Sequence, residues 1–150
     1  MFARLEKKAV FICEDCRDKE DALNRIVDLS CNVFEIGNCD EIFGKVIERE
    51  SKLSTGIGLE IAVPHCRSEQ VTSVLIGVLL IPNGINYNSV DGKPVKLIFL
   101  IISPKSDIQG HIVALSTISH TISDEVLRQK LLNSKTSDEL YNNLIESTKL

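Results

Sequence analysis

Residues 54–66 read STGIGLEIAVPHC, and the reading of this stretch decides that of the whole chain. It opens with small, flexible residues, turns apolar through Ile61, Ala62 and Val63, and closes on Pro64 directly before His65. Proline disfavours helix in the residue ahead of it, so Val63 is expected to be extended. Pro64 fixes its own φ. His65 is therefore expected at a strand end with a set direction, as a nucleophile or ligand requires. Ahead of it, Ser54, Thr55, Gly56 and Gly58 can form a loop of backbone N–H groups and hydroxyls able to surround an anion such as phosphate. A Pro-His pair alone reads as a strand-end histidine. The loop, the strand and the rigid exit together point to a site.

The surrounding chain sets the frame. Its 150 residues are 43% hydrophobic and 25% charged, the composition and length of one globular domain with a real core. With no Trp and few aromatics, that core is expected to be Ile, Leu and Val. The net charge of −4 leaves no broad basic footprint for nucleic acid. No apolar run has membrane-span length, and the N-terminus lacks an apolar leader core, so a cytoplasmic protein is expected.

Working outward, AVFIC (9–13) reads as a short strand, and Asp18 as the N-cap of a helix with Leu23, Ile26, Val27 and Ser30 on one face. GNCD (37–40) breaks the pattern. Asp40 can cap a second helix with Ile42, Phe43, Val46 and Ile47 inward, ending near Arg49 and Glu50. Two near-continuous apolar runs, 71–81 and 95–102, read as strands covered on both faces. Between them, 82–94 is rich in turn residues. Ser106 with Gln109 resembles a capping box ahead of His111, Leu115, Ile118 and Ile122. Ser123 can cap a helix with Val126, Leu127 and Leu131 inward, and Thr136 with Glu139 opens a last helix with Leu140 and Leu144 inward. The expectation is a single-domain α/β sandwich over 1–150, with a central mixed sheet flanked by helices.

Five cysteines, Cys13, Cys16, Cys31, Cys39 and Cys66, are an odd count that argues against a disulfide framework. Cys13 and Cys16 form a CxxC pair. A zinc site normally needs four ligands, and the second pair is missing. A thioredoxin-type site needs a strand before and a helix after, which this pair roughly has. The preferred reading is two incidental thiols near a strand end. Cys66 adjoins His65, but neighbouring residues of a strand point to opposite faces, which rules against a Cys–His nucleophile or a His65–His111–Cys66 metal site. No metal or organic cofactor is implied.

The stretch around His65 resembles the phosphorylation-site signature of the fructose/mannitol/nitrogen-type enzyme IIA domains of the bacterial phosphotransferase system. The matching positions are Glu50, Ile57, Gly58, Ile61, Ala62, Val63, Pro64, His65 and Cys66. ERE (48–50), VDGKPVKLIFLIISP (90–104) and GHIVALSTIS (110–119) are similar to further family segments, so the likeness covers roughly residues 8–147.

The resemblance implies that His65 accepts a phosphoryl group from the carrier phospho-HPr and passes it to an enzyme IIB of a sugar permease, so that membrane association is indirect. It implies that Arg49 pairs with phosphoryl oxygens, that His111 donates a hydrogen bond to them, and that Ser54 and Thr55 are phosphate-loop donors. Taken alone, Arg49 reads as a solvated helix-end cation and His111 as a packed core histidine. His120 has no family counterpart and reads as a surface residue. Two positions depart from the pattern. Glu60 stands where a small residue, often Gly, is usual, and in a strand it would face opposite Ile61. Gly110 replaces a common acidic or amide residue before His111. Some family members regulate by protein binding instead of carrying phosphate for transport, and the sequence is compatible with both roles.

Overall fold

A computed structural model describes residues 5–147. A 3-10 turn, Lys7–Ala9, leads into β1 (Val10–Ile12). Then come α1 (Lys19–Val33), α2 (Cys39–Lys52), the short strands β2 (Gly56–Gly58), β3 (Ile61–Ala62) and β4 (His65–Ser68), the long strands β5 (Leu75–Ile85) and β6 (Val95–Pro104), and α3 (Ile108–Ser123), α4 (Glu125–Leu132) and α5 (Ser137–Ser147). The six strands form one mixed sheet in the order β1-β5-β6-β3-β2, with β4 also on β6. β5 and β6 run antiparallel, whereas β1 is parallel to β5, and both β3 and β4 are parallel to β6.

The two apolar runs behave as strands buried on both faces. Along β6, Ile98, Leu100 and Ile102 pack into the core shared with α1 and α2, while Leu97, Phe99 and Ile101 pack into the core shared with α3, α4 and α5. Period-two alternation thus feeds two apolar layers. The sandwich expected from the sequence is the observed architecture, with α1 and α2 on one face and α3, α4 and α5 on the other. Among the described residues no helix is long and apolar enough to cross a membrane.

Three of the five helix starts, those of α2, α3 and α4, depart from expectation by a residue or two, each toward a side chain that reaches a free N–H. Asp18 caps α1 as expected, accepting from Asp21 N. Asn38, and not Asp40, caps α2, accepting from Glu41 N. Asp107 replaces Ser106 at α3, and Asp124 replaces Ser123 at α4. Ser123 is instead the last residue of α3 and donates to His120 O at 2.7 Å. At α5 Thr136 accepts from Glu139 N as expected. Val126, expected inward, is exposed, whereas Leu131 is fully buried. His120 is exposed.

The cysteines also correct the sequence reading. Cys31 and Cys39 are joined as a disulfide between the end of α1 and the start of α2, with Cα atoms 5.9 Å apart. The tight 34–38 connection brings the two helix ends within bridging range. Cys13, Cys16 and Cys66 are free.

Candidate active site

The segment carrying His65 does not run as one strand. β3 pairs with Leu97 and Ile98, and β4 pairs with residues 101–104 on the same edge of β6. Pro64 lies in the gap. It has no N–H to give, and its carbonyl accepts from Ile101 N at 3.1 Å. His65 is therefore the first residue of a new strand. The jog turns its ring back on the chain, so that Nδ1 lies 2.8 Å from Val63 O. A carbonyl only accepts, so Nδ1 carries the proton and Nε2 keeps the ring's lone pair. Strand alternation puts Arg67 on the same face as His65 and sends Cys66 into the opposite core. Burial pushes the Cys66 thiol up to about 11, which leaves it protonated and inert.

His111 comes from the first turn of α3 and is buried. Its ring centroid is 5.2 Å from that of His65, edge to face. Its Nδ1 lies 2.7 Å from Ser103 Oγ at the end of β6. Burial first, then the charges of His65 and Arg67, pull the His111 pKa down to about 4. Burial also lowers that of His65, with Arg49 and Arg67 adding to the effect and Val63 and Glu50 opposing it. Both rings are thus neutral near pH 7. Gly110, in place of a polar residue, has a structural reason. The Asp107 carboxylate accepts from Gly110 N at 2.8 Å, and a Cβ at 110 would collide with that carboxylate.

The two histidines line a cavity of about 430 Å³ with Lys45, Arg49, Lys52, Arg67 and Lys105, against a single carboxylate, Glu48. Arg49 also donates to Leu53 O at 3.0 Å, closing the C-terminus of α2. Among the described residues Arg49, Lys52 and Arg67 have no carboxylate partner, so their charge is available to an anion. The sequence reading named Arg49 but missed Lys45, Lys52, Arg67, Lys105 and Ser103. Arg67 carried a signal, being two residues beyond His65 in a strand. The others come together only through the fold.

Ser54 and Thr55 are placed elsewhere. Thr55 is buried, its N–H and hydroxyl both donating to Glu50, at 2.8 and 2.6 Å. Its hydroxyl also meets Tyr87 OH at 3.0 Å. Ser54 Oγ donates to Tyr87 O and accepts from Gly56 N. Neither residue lines the cavity. Lys19 completes the cluster, 2.8 Å from Glu50 and 4.4 Å above the Tyr87 ring. Adjacent residues of α2 thus grip the same loop: Arg49 holds Leu53 O, and Glu50 holds Thr55. Thr55 O in turn accepts from Val63 N at 3.0 Å, two residues before His65.

Glu60 is also not in a strand. With φ of 69°, next to Leu59 at 59°, it forms a left-handed turn between β2 and β3, a conformation that suits glycine. Its carboxylate lies 3.5 Å from Lys96 and does not line the cavity.

A pair of neutral imidazoles at a sheet edge thus shares a cavity with five cationic side chains and one carboxylate on an α/β sandwich, an arrangement chemically suited to an anion. The chain matches, over residues 4–147, the family described as phosphoenolpyruvate-dependent sugar phosphotransferase system, EIIA 2, and belongs to that family. It is 29% identical over 128 residues to a fructose-specific EIIA component from Haloferax volcanii, covering 85% of this chain and 83% of the relative. It is 30% identical over 133 residues to a nitrogen regulatory protein from Klebsiella oxytoca, covering 88% and 82%. The fold is that of nitrogen regulatory protein IIA-Ntr from Neisseria meningitidis, with a TM-score of 0.84, 23% identity and coverage of 95% and 97%. It is also that of mannitol enzyme IIA from Escherichia coli, solved in complex with phosphorylated enzyme IIB, with a TM-score of 0.77, 18% identity and coverage of 92% and 95%.

Proposed function

We propose that the chain is a phosphohistidine carrier, with residues 1–150 acting as one EIIA domain in the cytoplasm. His65 takes a phosphoryl group from phospho-HPr and hands it to an enzyme IIB of a sugar permease. The observation that carries this reading is the 2.8 Å contact of His65 Nδ1 with Val63 O, which leaves Nε2 as the one basic nitrogen of a ring lining a cationic cavity.

The Nε2 lone pair attacks phosphorus as the donor's N–P bond breaks, and the donor imidazole leaves with the bonding pair. Positive charge developing on the His65 ring is shared through Nδ1–H with the Val63 carbonyl. Arg49 and Arg67 offset charge on the equatorial oxygens, the main protein contribution to phosphoryl transfer. His111 donates from Nε2 while its Nδ1 accepts a hydrogen bond from the Ser103 hydroxyl. Ser54 and Thr55 act at one remove, by fixing the loop that abuts Val63. Onward transfer reverses the first step, the IIB nucleophile displacing a neutral imidazole.

A second reading, a regulator whose phosphohistidine switches protein binding, is favoured by the likeness to nitrogen regulatory proteins. Incubation with phosphoenolpyruvate, enzyme I and HPr, followed by intact mass, tests the carrier chemistry common to both. One acid-labile phosphoryl group is expected on the wild type and none on His65→Ala. No phosphorylation of the folded protein by carriers from its own host overturns both readings. Sugar uptake with the cognate IIB then separates them, being lost on deletion only for a transport component.

A further inference from the structure

We propose that Cys13 and Cys16 form a redox-active dithiol that closes to an intramolecular disulfide on meeting a small-molecule disulfide such as oxidised glutathione. The inference is independent of the phosphocarrier reading.

Cys13 is the first residue after β1, its N–H bonded to Leu80 O at 2.9 Å, so the fold holds its backbone in place. Cys16 lies in the loop before α1, and its thiol donates to Cys13 Sγ at 2.7 Å. The two sulfurs thus already adjoin. From α1, Arg25 reaches back so that Nη1 is 3.2 Å from Cys13 Sγ. Cys13 Sγ thus has one guanidinium N–H and one thiol S–H directed at it, surroundings that suit an attacking sulfur. Asp15, 3.4 Å away, accepts from the Cys13 thiol and is itself paired with the same guanidinium at 2.6 Å. Burial, and then Cys13 itself, push Cys16 up to about 12, which makes it the protonated member. Strand, CxxC and helix follow in the order that a dithiol exchange site uses. Cys13 keeps 7% exposure and Cys16 is part-exposed.

The steps balance. Cys13 gives its proton to water and, as thiolate, attacks one sulfur of the oxidised glutathione, while the other glutathione leaves as thiolate. Capping Cys13 removes the charge that held the Cys16 proton, which passes to the released thiolate. Cys16 thiolate then attacks Cys13 Sγ and expels the second glutathione. Two protein thiols are oxidised to one disulfide, and one glutathione disulfide is reduced to two thiols.

The full chain, reduced, desalted and equilibrated in glutathione mixtures of rising oxidised fraction, tests this by acid quench, alkylation and peptide mapping. Mapping reads the Cys31–Cys39 bridge separately. The wild type is expected to lose two hydrogens on the peptide holding Cys13 and Cys16, with no lasting glutathione adduct. Cys16→Ser is expected to trap one glutathione on Cys13. Arg25→Gln is expected to slow closure about tenfold, by withdrawing thiolate stabilisation. Full alkylation of both sulfurs in folded, oxidised wild type, or a stable wild-type adduct, overturns the proposal whether or not the variants fold. Unchanged closure in a folded Arg25→Gln overturns Cys13 as the attacking sulfur.

Discussion

His65 and Val63 are bound to each other across Pro64: the imidazole Nδ1 sits 2.8 Å from the carbonyl oxygen two residues back. A proton is thereby held on one nitrogen and a lone pair on the other.

This contact predicts the site of modification. In ¹⁵N spectra at neutral pH, Nδ1 of His65 is expected to show the protonated shift and Nε2 the unprotonated one. Phosphorylation is expected on Nε2. A phosphoryl group found on Nδ1 would require the Val63 contact to break and would contradict the mechanism above.

His111 predicts a pH dependence of stability. Its folded pKa of about 4 lies below the ordinary histidine value of 6.5. Between those values the unfolded chain binds more protons than the native one, so stability falls as pH drops through the window and levels off below it. The full effect is about 3 kcal/mol. Urea titrations across this range should show a shallower decline in His111→Gln than in the wild type, by up to one proton.

Glu50 is expected to matter through position, since it touches Thr55 and Lys19 and not the cavity. Glu50→Ala strands the buried Thr55 N–H and leaves Lys19 unpaired, at a cost of about 3 kcal/mol or more. Denaturation measures that cost. Amide exchange at Thr55 and Val63 should quicken ahead of global unfolding, and a rise matching the rest of the molecule would count against a local role.

The Leu59–Glu60 turn gives the opposite sign. Glu60→Gly removes a side chain from a left-handed position at the expense of a half-buried, 3.5 Å pair with Lys96. The variant is expected to be more stable by about 0.5–1 kcal/mol, read as a raised urea midpoint.

The layers of the fold and the position of His65 were legible because each rests on local chemistry: period-two apolar runs, helical stripes and the restraint that Pro64 exerts on its neighbours. Cap positions were less so. Ser123 and Asp124 both suit a cap, and only the exact end of α3 decides between them. Arg49 and His111 were legible through family resemblance alone. Lys52 and Lys105 gave no sign, since the cavity joins residues from α2, β4 and the β6–α3 connection that no sequence spacing relates. The place of Thr55 outside the cavity was not legible, because its partner Tyr87, in a stretch of turn residues, is wholly buried.

The register of β1 bears on how the chain folds. Val10 aligns with Val78 and Ile12 with Leu80, in parallel. The first strand therefore stays unpaired on the ribosome until β5 has emerged, and α1 and α2 must wait with their apolar stripes uncovered. During that interval the helical pair has only itself to pack against, and the Cys31–Cys39 link lies within it. Nascent-chain length, more than helix propensity, then sets when the amino-terminal half becomes protected from proteases.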